Sequence, residues 1–83
     1  MKKNNRFTVE NSLPYVLALN IEPVGMLVEL PKEGEVEIID EYENEPVSLR
    51  LSTLEDGSLV LSVWPGDGEV QVLLNGRNVL GEQ

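Results

Sequence analysis

The feature that most constrains this chain is the period of its apolar residues, which is two almost from end to end and 3.6 almost nowhere. Successive strand side chains point to opposite faces of a sheet, so strict alternation describes a half-buried strand. Phe7 and Val9 alternate with Thr8 and Glu10, and Asn11-Ser12-Leu13-Pro14 supplies turn chemistry. Tyr15, Leu17, Leu19 and Ile21 then share one face, and Val16, Ala18, Asn20 and Glu22 the other, until Pro23 removes a ladder donor. Gly25 permits a bend into Met26-Val28-Leu30, and Pro31-Lys32-Glu33-Gly34 reads as a turn. Val36 and Ile38 alternate with Glu35 and Glu37, and Asp40 to Pro46 reads as the longest and most acidic loop.

The second half repeats the pattern. Val47, Leu49, Leu51 and Thr53 alternate with Ser48, Arg50 and Ser52. Asp56-Gly57 is a hairpin signal, because glycine tolerates the left-handed backbone such turns need. Leu59, Leu61 and Val63 oppose Val60, Ser62 and Trp64 in the returning strand. Pro65-Gly66-Asp67-Gly68 turns the chain again into Val70, Val72 and Leu74, and Asn75-Gly76 predicts a final short strand over Asn78-Val79-Leu80. With no helical segment to carry a parallel crossover, the expectation is an all-β, antiparallel, two-sheet sandwich of about seven strands with Greek-key connections. A small barrel is the alternative architecture. The 83 residues suffice for one domain, residues 1–83, with residues 1–5 and 81–83 expected to fray.

Composition then excludes several classes of function. There is no cysteine and no histidine, which removes disulfides, thiolate zinc sites and the usual nucleophile–base pairs. A small core without such staples points to packing, helped by self-association. Fifteen acidic against six basic residues give a formal charge of −9, and the only basic cluster is Lys2, Lys3 and Arg6. Nucleic acid and anionic membranes are therefore unfavourable partners, whereas a basic protein surface would be attracted. No run reaches the ~20 apolar residues of a membrane span, and no apolar stretch of a signal peptide follows the first lysines. A cytoplasmic protein is expected.

No acidic pair sits in a context that implies burial, so carboxylate catalysis is not expected. The acidic stretches lack the spacing of a calcium loop, and the Gly66–Gly68 turn lacks the lysine and the helix of a phosphate loop. The expectation is a non-enzymatic protein with no cofactor and no metal site.

One surface stands out. Val16, Ala18, Leu27, Ile39, Val60 and Leu73 fall on the sides of their strands that should meet water, as does Trp64. A contiguous apolar outer face is covered by a second copy or another protein. Trp64, Val60, Val16 and Ala18 are therefore the candidate interaction residues. If the strand kinks at Pro65, the indole folds over the end of the core instead. An exposed Trp64 could alternatively stack on a carbohydrate or small ligand with the Pro65–Glu69 turn. The acidic charge allows a third reading, an inhibitor that engages a basic protein.

Three short motifs carry a resemblance: Ile21-Glu22-Pro23-Val24-Gly25, Leu30-Pro31-Lys32-Glu33-Gly34 and Val63-Trp64-Pro65-Gly66. They resemble a loose group of small bacterial β-sandwich proteins with no assigned function, over about Phe7 to Asn75. The resemblance implies a cupredoxin-like or immunoglobulin-like sandwich. Copper electron transfer is excluded all the same, since such sites need histidine and cysteine ligands.

Overall fold

The computed structural model describes residues 1–80, all strand, turn and loop. Residues 81–83, and with them the expected C-terminal fraying, lie outside the described residues. Eight strands form: β1 (Lys3–Glu10), β2 (Leu17–Ile21), β3 (Met26–Leu30), β4 (Glu35–Tyr42), β5 (Ser48–Thr53), β6 (Leu59–Trp64), β7 (Glu69–Leu74) and β8 (Arg77–Asn78). They build two four-stranded sheets, ordered β1-β4-β7-β8 and β3-β2-β6-β5. Two separate sheets make a sandwich, not a closed barrel.

Three expectations need correction. The strands number eight, because the Asn75-Gly76 hairpin does return the chain, over Arg77–Asn78. The pairing is not wholly antiparallel: β2 and β6 run parallel, Ala18 beside Val60 and Ile21 beside Val63. No single crossover joins that pair; the chain passes through β3, β4 and β5 in between, so the length limit on direct parallel connections does not apply. Finally, Asp40, Glu41 and Tyr42 are not loop residues but the end of β4, and Asp40 is fully buried. They are held there by β1 and β7, Asp40 pairing with Asn5 and Val70. β1 correspondingly begins at Lys3, which pairs with Tyr42.

The core follows the alternation. Leu17, Leu19 and Ile21 of β2, Val28 and Leu30 of β3, Val63 of β6, and Val36, Ile38 and Val72 of the facing sheet are all buried. Asn11 ties two loops beneath this core. Its Nδ2 donates to the carbonyls of Tyr15 and Leu30 at 3.0 Å and of Pro31 at 3.1 Å, while its Oδ1 accepts from Leu13 N. A side chain that is 1% exposed is thus fully partnered, as buried amides require.

A cavity of about 390 Å³ lies under the β2–β3 turn, lined by Ile21, Pro23, Met26, Val63, Val70 and Leu80 among others. Its walls come from both sheets, Ile21 and Val63 from one and Val70 from the other.

Candidate interaction surface

The register fixes which outer-face residues are neighbours. Across the β3-β2-β6-β5 sheet one row reads Glu29, Ala18, Val60, Ser52 and the next Leu27, Asn20, Ser62, Arg50. A third row brings Glu22, whose N–H donates to Val63 O at 2.9 Å, beside Trp64 and Ser48. Ala18 and Val60 are thus direct neighbours, and exposed Val16 precedes them on the same face. Trp64 shares the face but sits four residues beyond Val60, ~13 Å along the strand. Asn20, Ser62 and Arg50 fill the space between. Leu73 and Ile39 belong to the other sheet, opposite Glu37 and Arg6 respectively.

Trp64 is 37% exposed and does not join the core cluster. The guanidinium of Arg50 lies 5.6 Å from its ring centroid. That cation–π contact occupies a ring face, the position a sugar's C–H face would take. Trp64 is also absent from the lining of the apolar cavity.

Sequence reasoning missed the residues beside this face. β5 ends its sheet, and every one of its residues is exposed. Leu49 and Leu51 point to the core side, as alternation predicts, yet they are 39% and 66% exposed, and the adjoining Leu54 is 51% exposed. Alternation tells which side a residue takes and not whether anything covers that side.

The direction of the β5 backbone groups follows from its turn. Leu54 N–H donates to Ser58 O at 2.8 Å, and Gly57 N–H closes the turn on Leu54 O with φ at 89°. Leu54 and Ser58 are therefore a hydrogen-bonded pair. In an antiparallel ladder such pairs alternate, so Ser52–Val60, Arg50–Ser62 and Ser48–Trp64 are bonded too. Two further contacts agree: Leu59 N–H reaches Tyr15 Oη, and Val63 O accepts from Glu22, both on the β2 side of β6. The N–H and C=O groups of Leu49, Leu51 and Thr53 consequently point away from β6 into open solvent.

Free edges usually carry guards against unwanted pairing. β1 presents Lys3, Arg6 and Glu10, and β8 is only two residues long. β5 contains no proline, and its single charge, Arg50, is drawn back over Trp64 of β6. β3, the other edge of this sheet, is one residue shorter and likewise has no proline, but its single charge, Glu29, stands on the outer face beside Ala18. β5 is the longer of the two and the one whose charge is drawn back.

Two acidic side chains fix where β5 starts. Buried Asp40 accepts from Val47 N at 2.8 Å through Oδ2, while its Oδ1 has no partner. Asp67, in the β6–β7 turn, accepts from the N–H groups of Glu43 at 3.0 Å, Asn44 at 2.8 Å and Glu45 at 3.1 Å. These bonds, that to Glu43 foremost, hold the Asp67 carboxyl below its ordinary pKa. Gly66 and Gly68 flank it because the turn touches the acidic loop and the end of β4 backbone to backbone. A Cβ at Gly66 would strike Glu45 O, and one at Gly68 would strike Glu41 O and lie 2.7 Å from Tyr42 Cα. The Gly-Asp-Gly turn is thus a clamp on the acidic loop, a role its sequence signals only as a turn.

Among the described residues no group of three or more carboxylates converges as a metal site would require, and no helix is long and apolar enough to cross a membrane. No protein-family model matches the chain, and comparison with curated proteins and with solved structures gave no match.

Proposed function

We propose that this protein is a non-enzymatic, cytoplasmic β-sandwich module that binds protein through the β5 side of its β3-β2-β6-β5 sheet. The observation that carries this reading is β5 itself: a six-residue edge strand, exposed throughout, with Leu49 and Leu51 uncovered and its one charge held over Trp64. Extended segments dock on such edges by strand addition, main-chain bonds giving affinity and flanking side chains specificity. Trp64, Val60, Val16 and Ala18 then form the adjoining outer face, with Trp64–Arg50 nearest the edge. The net charge of −9 governs encounter rate more than affinity. Connections that pass repeatedly between the two sheets support a Greek-key sandwich of cupredoxin-like or immunoglobulin-like kind, as in the small bacterial proteins its motifs resemble.

Titrating Trp64 emission with a panel of mono- and oligosaccharides separates this reading from a carbohydrate binder. The expected result is no saturable change, since Arg50 lies over one face of the ring. Saturable quenching that disappears in Trp64→Ala would replace the reading with sugar binding.

A further inference from the structure

The β5 edge is complementary to itself, and we infer that its occupant is a second copy of this chain, paired antiparallel about a two-fold axis at Leu51. This rests on the reading of β5 as a binding edge and adds its partner and register.

Two strands of one continuous sheet keep their faces only if residues of like facing stand opposite each other, so a symmetric pair of β5 strands has its axis at a residue and not between two. An axis at Arg50 sets the two Arg50 residues side by side, an unfavourable like-charge pair. It also leaves Thr53 opposite Val47, outside the strand. An axis at Ser52 leaves Leu49 opposite Glu55 of the turn. An axis at Leu51 sets Leu51 against Leu51, Leu49 against Thr53, and Arg50 against Ser52. These first two kinds of pair use the residues whose backbone groups point to solvent, so every outward N–H and C=O of Leu49, Leu51 and Thr53 finds a partner. Leu51, the most exposed leucine of the strand, meets its own counterpart at the centre.

Size and charge set the strength. Pairing strands of this length falls at or below the low end of stable interfaces, ~600 Å² per partner, so the dimer is reversible. Two bodies of charge −9 repel at long range, and added salt screens that repulsion. Self-association therefore strengthens with salt, whereas an acidic inhibitor would lose its basic partner.

The absence of native cysteine makes the register directly testable. Arg50 and the second copy's Ser52 form a non-hydrogen-bonded pair with Cα atoms ~4.5 Å apart, inside the range a disulfide spans. Two Arg50 residues, or two Ser52 residues, lie diagonally at ~8 Å, beyond it. Arg50→Cys and Ser52→Cys variants, each checked for native circular dichroism, are oxidised separately and mixed, in about 0.5 M salt. Linked dimer is expected in the mixture at about ten times the yield of either variant alone. Self-linking of Arg50→Cys or of Ser52→Cys alone, or a dimer by light scattering that does not link in the mixture, overturns the register. A wild-type monomer by light scattering up to about 1 mM overturns the second copy as occupant. The underlying reading of β5 fails separately, if the outward amides of the dilute monomer prove already hydrogen-bonded.

Discussion

Gly68→Ala should be among the most damaging single-methyl additions to this protein. Its backbone is not in the left-handed region, so the cost comes from contact alone. The added carbon would lie 2.7 Å from Tyr42 Cα and run into Glu41 O. Carbon atoms rest at ~3.5–4.0 Å, so the β6–β7 turn and the end of β4 would have to part by about 1 Å. Neither neighbour can rotate aside, because both are main-chain atoms of β4. Parting them weakens the three amide bonds to Asp67 and the Asp67 N–H bond to Glu45 O. Overpacking costs ~1–3 kcal/mol, and with no flexible side chain to yield we place this case near 3 kcal/mol. For a domain of this size that lowers Tm by about 12–24 °C. Gly57→Ala is the matched control: its Cβ would meet nothing within 4 Å, and only the positive φ of 89° opposes it. That conformation costs ~1–2 kcal/mol. Thermal and urea unfolding followed by Trp64 fluorescence and far-ultraviolet circular dichroism would compare the two. If Gly68→Ala is no more destabilising than Gly57→Ala, the backbone contact and the clamp built on it are refuted.

Other expectations follow from the same geometry. Ser52→Pro removes an N–H that points to β6 and should cost ~3 kcal/mol or more, whereas Leu51→Pro removes one that points to solvent and should cost less than half of that; equal losses in urea unfolding would contradict the assigned directions. Asn11→Ala removes the donor to the carbonyls of Tyr15, Leu30 and Pro31, the last of which keeps its bond from Gly34 N–H, and removes the acceptor of Leu13 N–H; it should cost ~2–3 kcal/mol, read by the same unfolding assay. Asp67 and Asp56 both titrate below the ordinary carboxylate value, the latter through the Ser58 hydroxyl and then its N–H. A lowered folded pKa contributes stability that is complete above the unfolded value of ~3.9 and is lost as pH falls through the folded value. The Tm difference between wild type and Asp67→Asn should therefore be constant near neutrality and shrink in acid below about pH 4. A difference independent of pH would mean that the carboxylate charge does not contribute.

The sequence carried much of this architecture and less of the surface. A period of two marks every long strand, and the residues it turns inward on β2, Leu17, Leu19 and Ile21, are buried as expected. The same pattern occurs in β5, where Leu49 and Leu51 also face the core side and remain exposed. Alternation records facing, and only strand order records cover; order arises from contacts between residues far apart in the chain. The parallel β2–β6 pair escaped for the same reason. Asp40 escaped for another: an aspartate beside glutamates reads as loop, and only its bond to Val47 N explains its place in the interior. Among the surface residues, Ala18 and Val60 were recognisable singly, but their adjacency was not. Arg50, which covers Trp64 and so leaves the edge unguarded, had no signal beyond its place in an alternating strand.

The most direct test of β5 as a binding edge is residue-resolved amide exchange on dilute and concentrated protein. In the dilute sample Arg50 and Ser52 should exchange slowly and Leu49, Leu51 and Thr53 quickly, since only the first two donate to β6. On raising the concentration, the three fast amides should become protected while those of β1 do not change. Protection of Leu49, Leu51 and Thr53 already at high dilution would mean that the edge is not free, and would contradict the account.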